Sequence, residues 1–230
     1  MGKSTALVFL LFGIFARLVF PGDVSFINDE AKFLDIAFEA NKAGDLYNLG
    51  LEGAKGVKYG PLSIYWFRFL LFFTHDLFWV SNINIILILT GTLVGLFFLA
   101  RELKANFIEI SAITFLSPFL WFYGRNLWDN SINQVLVIYA VLFYLKFFKS
   151  QNILNLLASG LILNGMFHIH PMSLSIALAL LIHFVIFNKI WSKKLILGIS
   201  GVLVVNLGIA SPYLSYFIPT LFESDKVGIK

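Results

Sequence analysis

The chain alternates long apolar runs with short polar breaks. Ala6–Phe20 is apolar except for Arg17, and a polar stretch, Pro21–Gly60, follows with seven acids and four lysines. Pro61–Thr74 is apolar but short and carries Arg68. Asn84–Ala100 and Ser131–Leu145 hold no charge, and Phe107–Tyr123 holds only Glu109. Ser150–Asn188 runs 39 residues without Asp, Glu, Lys or Arg, with His168-Ile169-His170-Pro171 in its middle, and Leu195–Phe222 is equally free of them. About 20 apolar residues in a helix cross a bilayer core of roughly 30 Å, so such runs predict spans. The pattern predicts an all-α polytopic membrane helix bundle. Its first span is 1–20, its outer loop with amphipathic and interfacial helices is 21–81, and six further spans fill 82–212. An outer tail, 213–230, follows, making seven spans in a single membrane domain.

Inside the polar stretch the spacing predicts one helix. Asn28 serves as N-cap, Asp29 and Glu30 fall in the first turn, Phe33, Ile36, Ala37 and Ala40 recur on one face, and Gly44 ends the run. Such a helix lies along a membrane surface.

Composition removes the alternatives. Of 230 residues 59% are apolar and 13% charged, against about 25% charged in soluble domains. A soluble globular protein is excluded, and so is a disordered chain, which needs low hydrophobicity and high charge. With no Cys there is no disulfide, thiolate metal site or Cys nucleophile. No P-loop, no GxGxxG after a strand and no HExxH appears. The net charge of +4 is not a nucleic-acid signal, because the basic residues collect in loops.

Those loops set the orientation. Arg101–Asn106, Lys146–Asn152 and Lys189–Lys194 hold seven Lys/Arg, whereas Gly124–Asn130 and His168–Met172 hold one. The first set is therefore cytoplasmic, with Lys3 beside it. No small-residue cleavage site follows the first run, so it reads as a retained span. These facts agree if Pro61–Thr74 does not cross but rests at the outer interface.

This topology gathers the unusual polar residues on the outer face: Arg17 at the end of the first span, Asp29-Glu30, the turn Arg125-Asn126-Leu127-Trp128-Asp129-Asn130, and His168 with His170. Ionisable groups at membrane depth are costly and mark functional sites by default. Each has a structural reading beside the functional one. Asp29 and Glu30 complement a helix dipole, or supply a general base and an oxygen ligand. Arg125 and Asp129 form an interfacial pair, or Arg125 clamps a phosphate with its planar fork while Trp128 offers a platform for a sugar or an isoprenoid. The histidines finish a helix, bind a metal or donate to a phosphate. A small transporter is disfavoured, since no internal repeat and no matching pair of broken spans is present.

Taken in order, the residues resemble a family. Arg17-Leu18, Pro21, Asn28-Asp29-Glu30-Ala31, Gly44, Tyr59-Gly60-Pro61-Leu62-Ser63-Ile64-Tyr65-Trp66, Ser117-Pro118, Tyr123-Gly124-Arg125, Trp128-Asp129-Asn130-Ser131 and His168-Ile169-His170-Pro171 follow one another over about 200 residues. The series is similar to the N-terminal membrane module of the GT-C glycosyltransferases, in the bacterial branch related to protein O-mannosyltransferases and aminoarabinose transferases. The resemblance implies transfer of a sugar from a polyprenyl-phosphate carrier to an acceptor on the outer face of the cell membrane, with inversion. It implies Asp29 as catalytic base, with Glu30 beside it, and a divalent cation, Mg or Mn, on Asp29 and Glu30 in some members. It implies Arg17 and Arg125 at the donor phosphate, assisted by His168 or His170, with Lys58, Tyr59, Trp128 and Asp129 as further substrate contacts. Two positions depart from the family pattern: Phe33 stands where Tyr is frequent, and Asp129 where Asn is frequent. Relatives continue beyond the point matching Lys230. A second expectation therefore stands beside the first: a truncated or split module that binds a lipid-phosphate carrier or a partner subunit without catalysis.

Overall fold

The computed structural model of the chain describes residues 2–19, 29–53, 57–188 and 191–227; at Lys194 and over 221–227 it describes the backbone alone. Pro21 and the expected N-cap Asn28 lie outside the described residues. Among the described residues ten α-helices follow in order: α1 Lys3–Leu18, α2 Asp29–Ala43, α3 Leu62–Phe73, α4 Leu77–Leu103, α5 Phe107–Leu116, α6 Pro118–Arg125, α7 Asn133–Ser150, α8 Ile153–Ile169, α9 Leu174–Phe187 and α10 Lys193–Val227. The fold is all-α: 83% of it is helix, and among the described residues the one β feature is an isolated antiparallel bridge between Glu52 and Lys58.

Three segments, Leu77–Leu103, Asp129–Ser150 and Leu195–Thr220, are helical, long and apolar enough to cross a membrane, and a fourth appears if the bent pair α5–α6 counts as one span. The seven expected spans are thus matched in part by length. At 1.5 Å per residue, the 16-residue α1, 17-residue α8 and 14-residue α9 rise roughly 24, 25 and 21 Å. The 12-residue α3 rises about 18 Å, well short of a bilayer core of about 30 Å.

Two further expectations change. The apolar run Phe107–Tyr123 is not one straight span, because α5 and α6 meet at 74°. Pro118 has no N–H and its ring opposes the preceding turn, while Ser117 receives the Leu120 N–H at 3.4 Å as a new N-cap. The expected tail from residue 213 is instead a continuation of α10, which runs through Pro212 and Pro219 to Val227. Within apolar surroundings a helix tolerates proline, because neighbouring groups re-satisfy the freed carbonyls.

Close packing of the long helices holds the bundle. On α4, Gly91 and Gly95 admit Val135 and Ile138 of α7 so closely that an added Cβ would meet them at 2.8 and 2.9 Å, a small-residue seam of the kind that lets apolar helices approach. Tyr139 Oη donates to the Gly91 carbonyl across this seam at 3.2 Å. Ser159 of α8 donates to the Ala140 carbonyl of α7 at 2.9 Å. At the C-terminal ends of α4 and α7, Lys149 pairs with Glu102 at 2.8 Å. At the opposite end, α2 lies on α3 through a core of Phe33, Leu34, Ala37, Ile64, Phe67 and Leu70. Of the face expected on α2, Phe33, Ala37 and Ala40 are buried and Ile36 is half-buried, with Leu34 buried beside them, and Gly44, at φ 71°, takes the left-handed conformation that ends the helix.

Candidate functional site

The site lies at the end of the bundle away from Lys149 and is assembled from four segments. The first is the N-terminus of α2. Asp29 sits in its opening turn, where the helix dipole favours a carboxylate; its side chain is half exposed and pairs loosely with Lys32 at 3.9 Å. Glu30 stands beside it, and the negative charges of both bear on Asp129.

The second segment is the turn after α6. Asp129 is 2% exposed. Its Oδ1 accepts the Asn130 backbone N–H at 2.7 Å and the Asn130 amide at 3.2 Å. The turn is built firmly: Ser131 Oγ lies 2.7 Å from both the Tyr123 and Asn126 carbonyls. Asn84, fully buried on α4, donates to the Asn126 carbonyl at 3.3 Å and accepts the Trp66 indole N–H at 3.0 Å. Trp128 leans on Tyr123, ring centres 4.8 Å apart.

The third segment is the extended run Val57–Gly60. Tyr59 N–H donates to the Leu51 carbonyl and Gly50 N–H to the Tyr59 carbonyl. Burial, and then the charges of Asp129 and Asp29, hold the Tyr59 phenol above its ordinary range. Gly60 presses on the end of α8: an added Cβ would sit 2.5 Å from the His168 carbonyl oxygen.

The fourth segment is the end of α8 and the 3₁₀ turn Pro171–Ser173. The His170 ring lies 4.7 Å from the Tyr59 ring. Its Nδ1 accepts the Met172 N–H at 3.2 Å, which leaves the proton of the neutral ring on Nε2. Burial holds His170 below its ordinary pKa of 6.5. The His168 ring lies against that of Tyr213 in a tilted pair, centres 5.2 Å apart.

The expected residues therefore divide. Asp29, Glu30, Tyr59, Asp129 and His170 share one locality. Arg17 is employed elsewhere: its NH1 donates to the Gly13 and Phe115 carbonyls at 3.0 and 2.6 Å, and its guanidinium lies over the Phe115 ring. This ties α1 to the break between α5 and α6. Arg125 lies over Trp121 and donates to the Val19 carbonyl at 3.3 Å. Lys58 lines an open cavity of about 460 Å³ together with Asp45, Tyr47 and Asn48. A second cavity of about 240 Å³, lined chiefly by Ile85, Leu89, Leu96, Phe115, Val137 and Ile138, runs along α4 with Arg17 and Gln134 in its wall. Among the described residues no three His, Asp or Glu side chains stand close enough to hold a metal ion. Asp29 and Glu30 by themselves supply two of the oxygen ligands that such an ion takes.

Sequence reasoning passed over Tyr213 and Tyr216 of α10. Tyr213 Oη donates to the Lys58 carbonyl at 3.1 Å, and Tyr216 Oη accepts the Lys58 N–H at 3.1 Å. A Tyr-x-x-Tyr pair near the end of an apolar helix has no local signal that singles it out.

Compared with protein-family models, characterised proteins and solved structures, the chain matches none.

Proposed function

We propose that the chain is an integral membrane glycosyltransferase that moves a sugar from a polyprenyl-phosphate carrier to an acceptor hydroxyl on the outer face of the cell membrane. The observation that carries the reading is the convergence of Asp29, Tyr59, Asp129 and His170, from four separate segments, at one end of a bundle of apolar helices. In this reading α1, α4, the bent pair α5–α6, α7, α8, α9 and α10 make seven crossings. The N-terminus is cytoplasmic and α3 rests on the outer side.

The chemistry follows from the groups present. The Asp29 carboxylate takes the proton of the acceptor hydroxyl, whose oxygen attacks the anomeric carbon from the face opposite the phosphate. The bond from that carbon to the phosphate oxygen breaks, and polyprenyl phosphate leaves with the electron pair. His170 Nε2–H donates to the leaving phosphate, and Tyr59 lines the position between base and donor. Holding both reactants in line is the larger contribution, as in other reactions with little covalent work for the protein. The cavity along α4 takes the first part of the isoprenoid tail. Arg17, bonded to carbonyls, braces the wall of that cavity.

The test is transfer in proteoliposomes. Purified protein and its Asp29→Asn variant meet radiolabelled polyprenyl-phosphate sugars and a crude pool of outer-face acceptors. Release of free polyprenyl phosphate by the wild type and not by the variant supports the reading. Equal release by both removes Asp29 from the reaction. Carrier retention with no release by either replaces the enzyme with a binding module.

A further inference from the structure

Lys58 occupies a distinctive place in the outer loop. Antiparallel pairing turns alternate residues toward the partner strand and the residues between them away from it. Here the Val57 carbonyl receives Gly53 N–H at 2.8 Å, and Tyr59 N–H reaches the Leu51 carbonyl at 2.9 Å. Both bonds face residues 50–53. The N–H and carbonyl of Lys58 therefore face the other way, where no strand follows.

The two groups are met by hydroxyls. Tyr213 and Tyr216 are three residues apart, so they share a face of α10. Tyr213 Oη donates to the Lys58 carbonyl and Tyr216 Oη receives the Lys58 N–H, each at 3.1 Å. The pair is braced from behind: Tyr213 is fully buried, with its ring 5.2 Å from His168 and 5.2 Å from Phe167. The pair thus occupies the place of a neighbouring strand. We propose that Tyr213 and Tyr216 are positioning residues that clamp the Lys58 peptide and thereby set Tyr59 against His170. Side chains alternate along an extended segment, so one clamp fixes two directions. Tyr59 goes to His170 and the carboxylates, and Lys58 to the cavity with Asp45 and Asn48. The site is then completed by α10, although neither tyrosine reaches Asp29 or Asp129 among the described contacts.

The catalytic consequence rests on the reading above, but the clamp is tested without donor or acceptor. The full chain in detergent micelles is compared with Tyr213→Phe, Tyr216→Phe and the double variant, each first checked for unchanged helix content and thermal unfolding. Hydrogen exchange read by mass spectrometry reports the Lys58 amide. Carbethoxylation by diethyl pyrocarbonate reports His170, with His75 and His183 as internal references. Loss of one net hydrogen bond is worth about fivefold in an opening equilibrium. The expected result is about fivefold faster exchange at Lys58 in Tyr216→Phe, and several-fold faster modification of His170 in the double variant. Unchanged exchange in Tyr216→Phe overturns the clamp. Faster exchange with unchanged His170 reactivity overturns its positioning role. If the double variant unfolds, the two single variants carry the same comparison. Failure of sugar transfer by the wild type refutes the proposed reaction and leaves these two readouts intact.

Discussion

The Arg17 guanidinium lies 4.5 Å from the centre of the Phe115 ring and donates to the Phe115 carbonyl at 2.6 Å. In an unbroken helix that carbonyl would receive the N–H four residues on, but the helix breaks at Ser117-Pro118 and leaves it without that partner. Arg17 supplies the missing donor from another helix. Arg17→Met is expected to destabilise the fold by about 1–3 kcal/mol, the cost of one buried acceptor left unsatisfied. Gly13→Ala is expected to do the same by crowding, about 1–3 kcal/mol, because its Cβ would meet Phe115 Cβ at 2.8 Å and the Phe115 oxygen at 3.0 Å. Thermal unfolding in detergent checks both. Wild-type stability in Arg17→Met would show that the carbonyl is satisfied without it.

Asn84 joins three elements by two bonds, to the Trp66 indole and the Asn126 carbonyl. Asn84→Leu removes both bonds at once, leaves the Trp66 indole N–H stranded, and is expected to cost about 1–3 kcal/mol. Tryptophan fluorescence should report a changed environment at Trp66. The Trp66→Phe/Asn84→Leu double variant should recover part of the loss, since one stranded donor is gone; purely additive losses would contradict the coupling.

Gly60 is small because α8 leaves no room. Its Cβ would meet the His168 carbonyl oxygen at 2.5 Å and the His168 Cα at 2.6 Å, and a backbone neighbour cannot rotate away. Gly60→Ala is expected to lift the 57–60 run off α8, raising the rate of tryptic cleavage after Lys58 several-fold and, under the proposed reaction, lowering sugar transfer more than tenfold. Cleavage at the wild-type rate would mean that the run is held without this contact.

Acidification should weaken the fold through His170. Burial lowers its folded-state pKa below 6.5, so the unfolded chain binds the proton more readily. Stability is full above pH 6.5 and falls as pH drops from 6.5 through the folded value. Protonation at Nδ1 also removes the acceptor of the Met172 N–H. Unfolding midpoints at pH 7.5 and 5.5 should therefore fall further for wild type than for His170→Asn; equal falls would remove His170 as the cause.

Much of this arrangement was legible in the sequence. The acids at residues 29 and 30, the apolar spacing from Phe33 to Ala40 and Gly44 mark α2 from start to end, because caps and helical period are local. His168-Ile169-His170-Pro171 marks the turn between α8 and α9 for the same reason. Charge, order and resemblance point to Asp29, Tyr59, Asp129 and His170, and these four lie in one locality. What failed to show depends on partners far along the chain. Arg17 reads as a charge at an interface, and nothing local reveals that its partner is a carbonyl 98 residues away. Pro118 reads as compatible with a span, whereas here it turns the chain by 74°. Pro212 and Pro219 read as the end of a helix that the structure continues. Tyr213 and Tyr216 carry no periodic signal, since their partner is a peptide group and not a side chain.

The bond from Tyr213 to Lys58 spans 155 positions of sequence, which gives the protein a timetable. At about 5–20 residues per second, roughly 8–30 s of synthesis separate the appearance of Lys58 from that of Tyr213. Through that interval the segment around Lys58 has been synthesised with its peptide edge unclaimed. A chain paused before α10 therefore carries Asp29, Glu30 and Asp129 and still lacks the two hydroxyls that meet the Lys58 peptide, so this contact waits on the synthesis of α10.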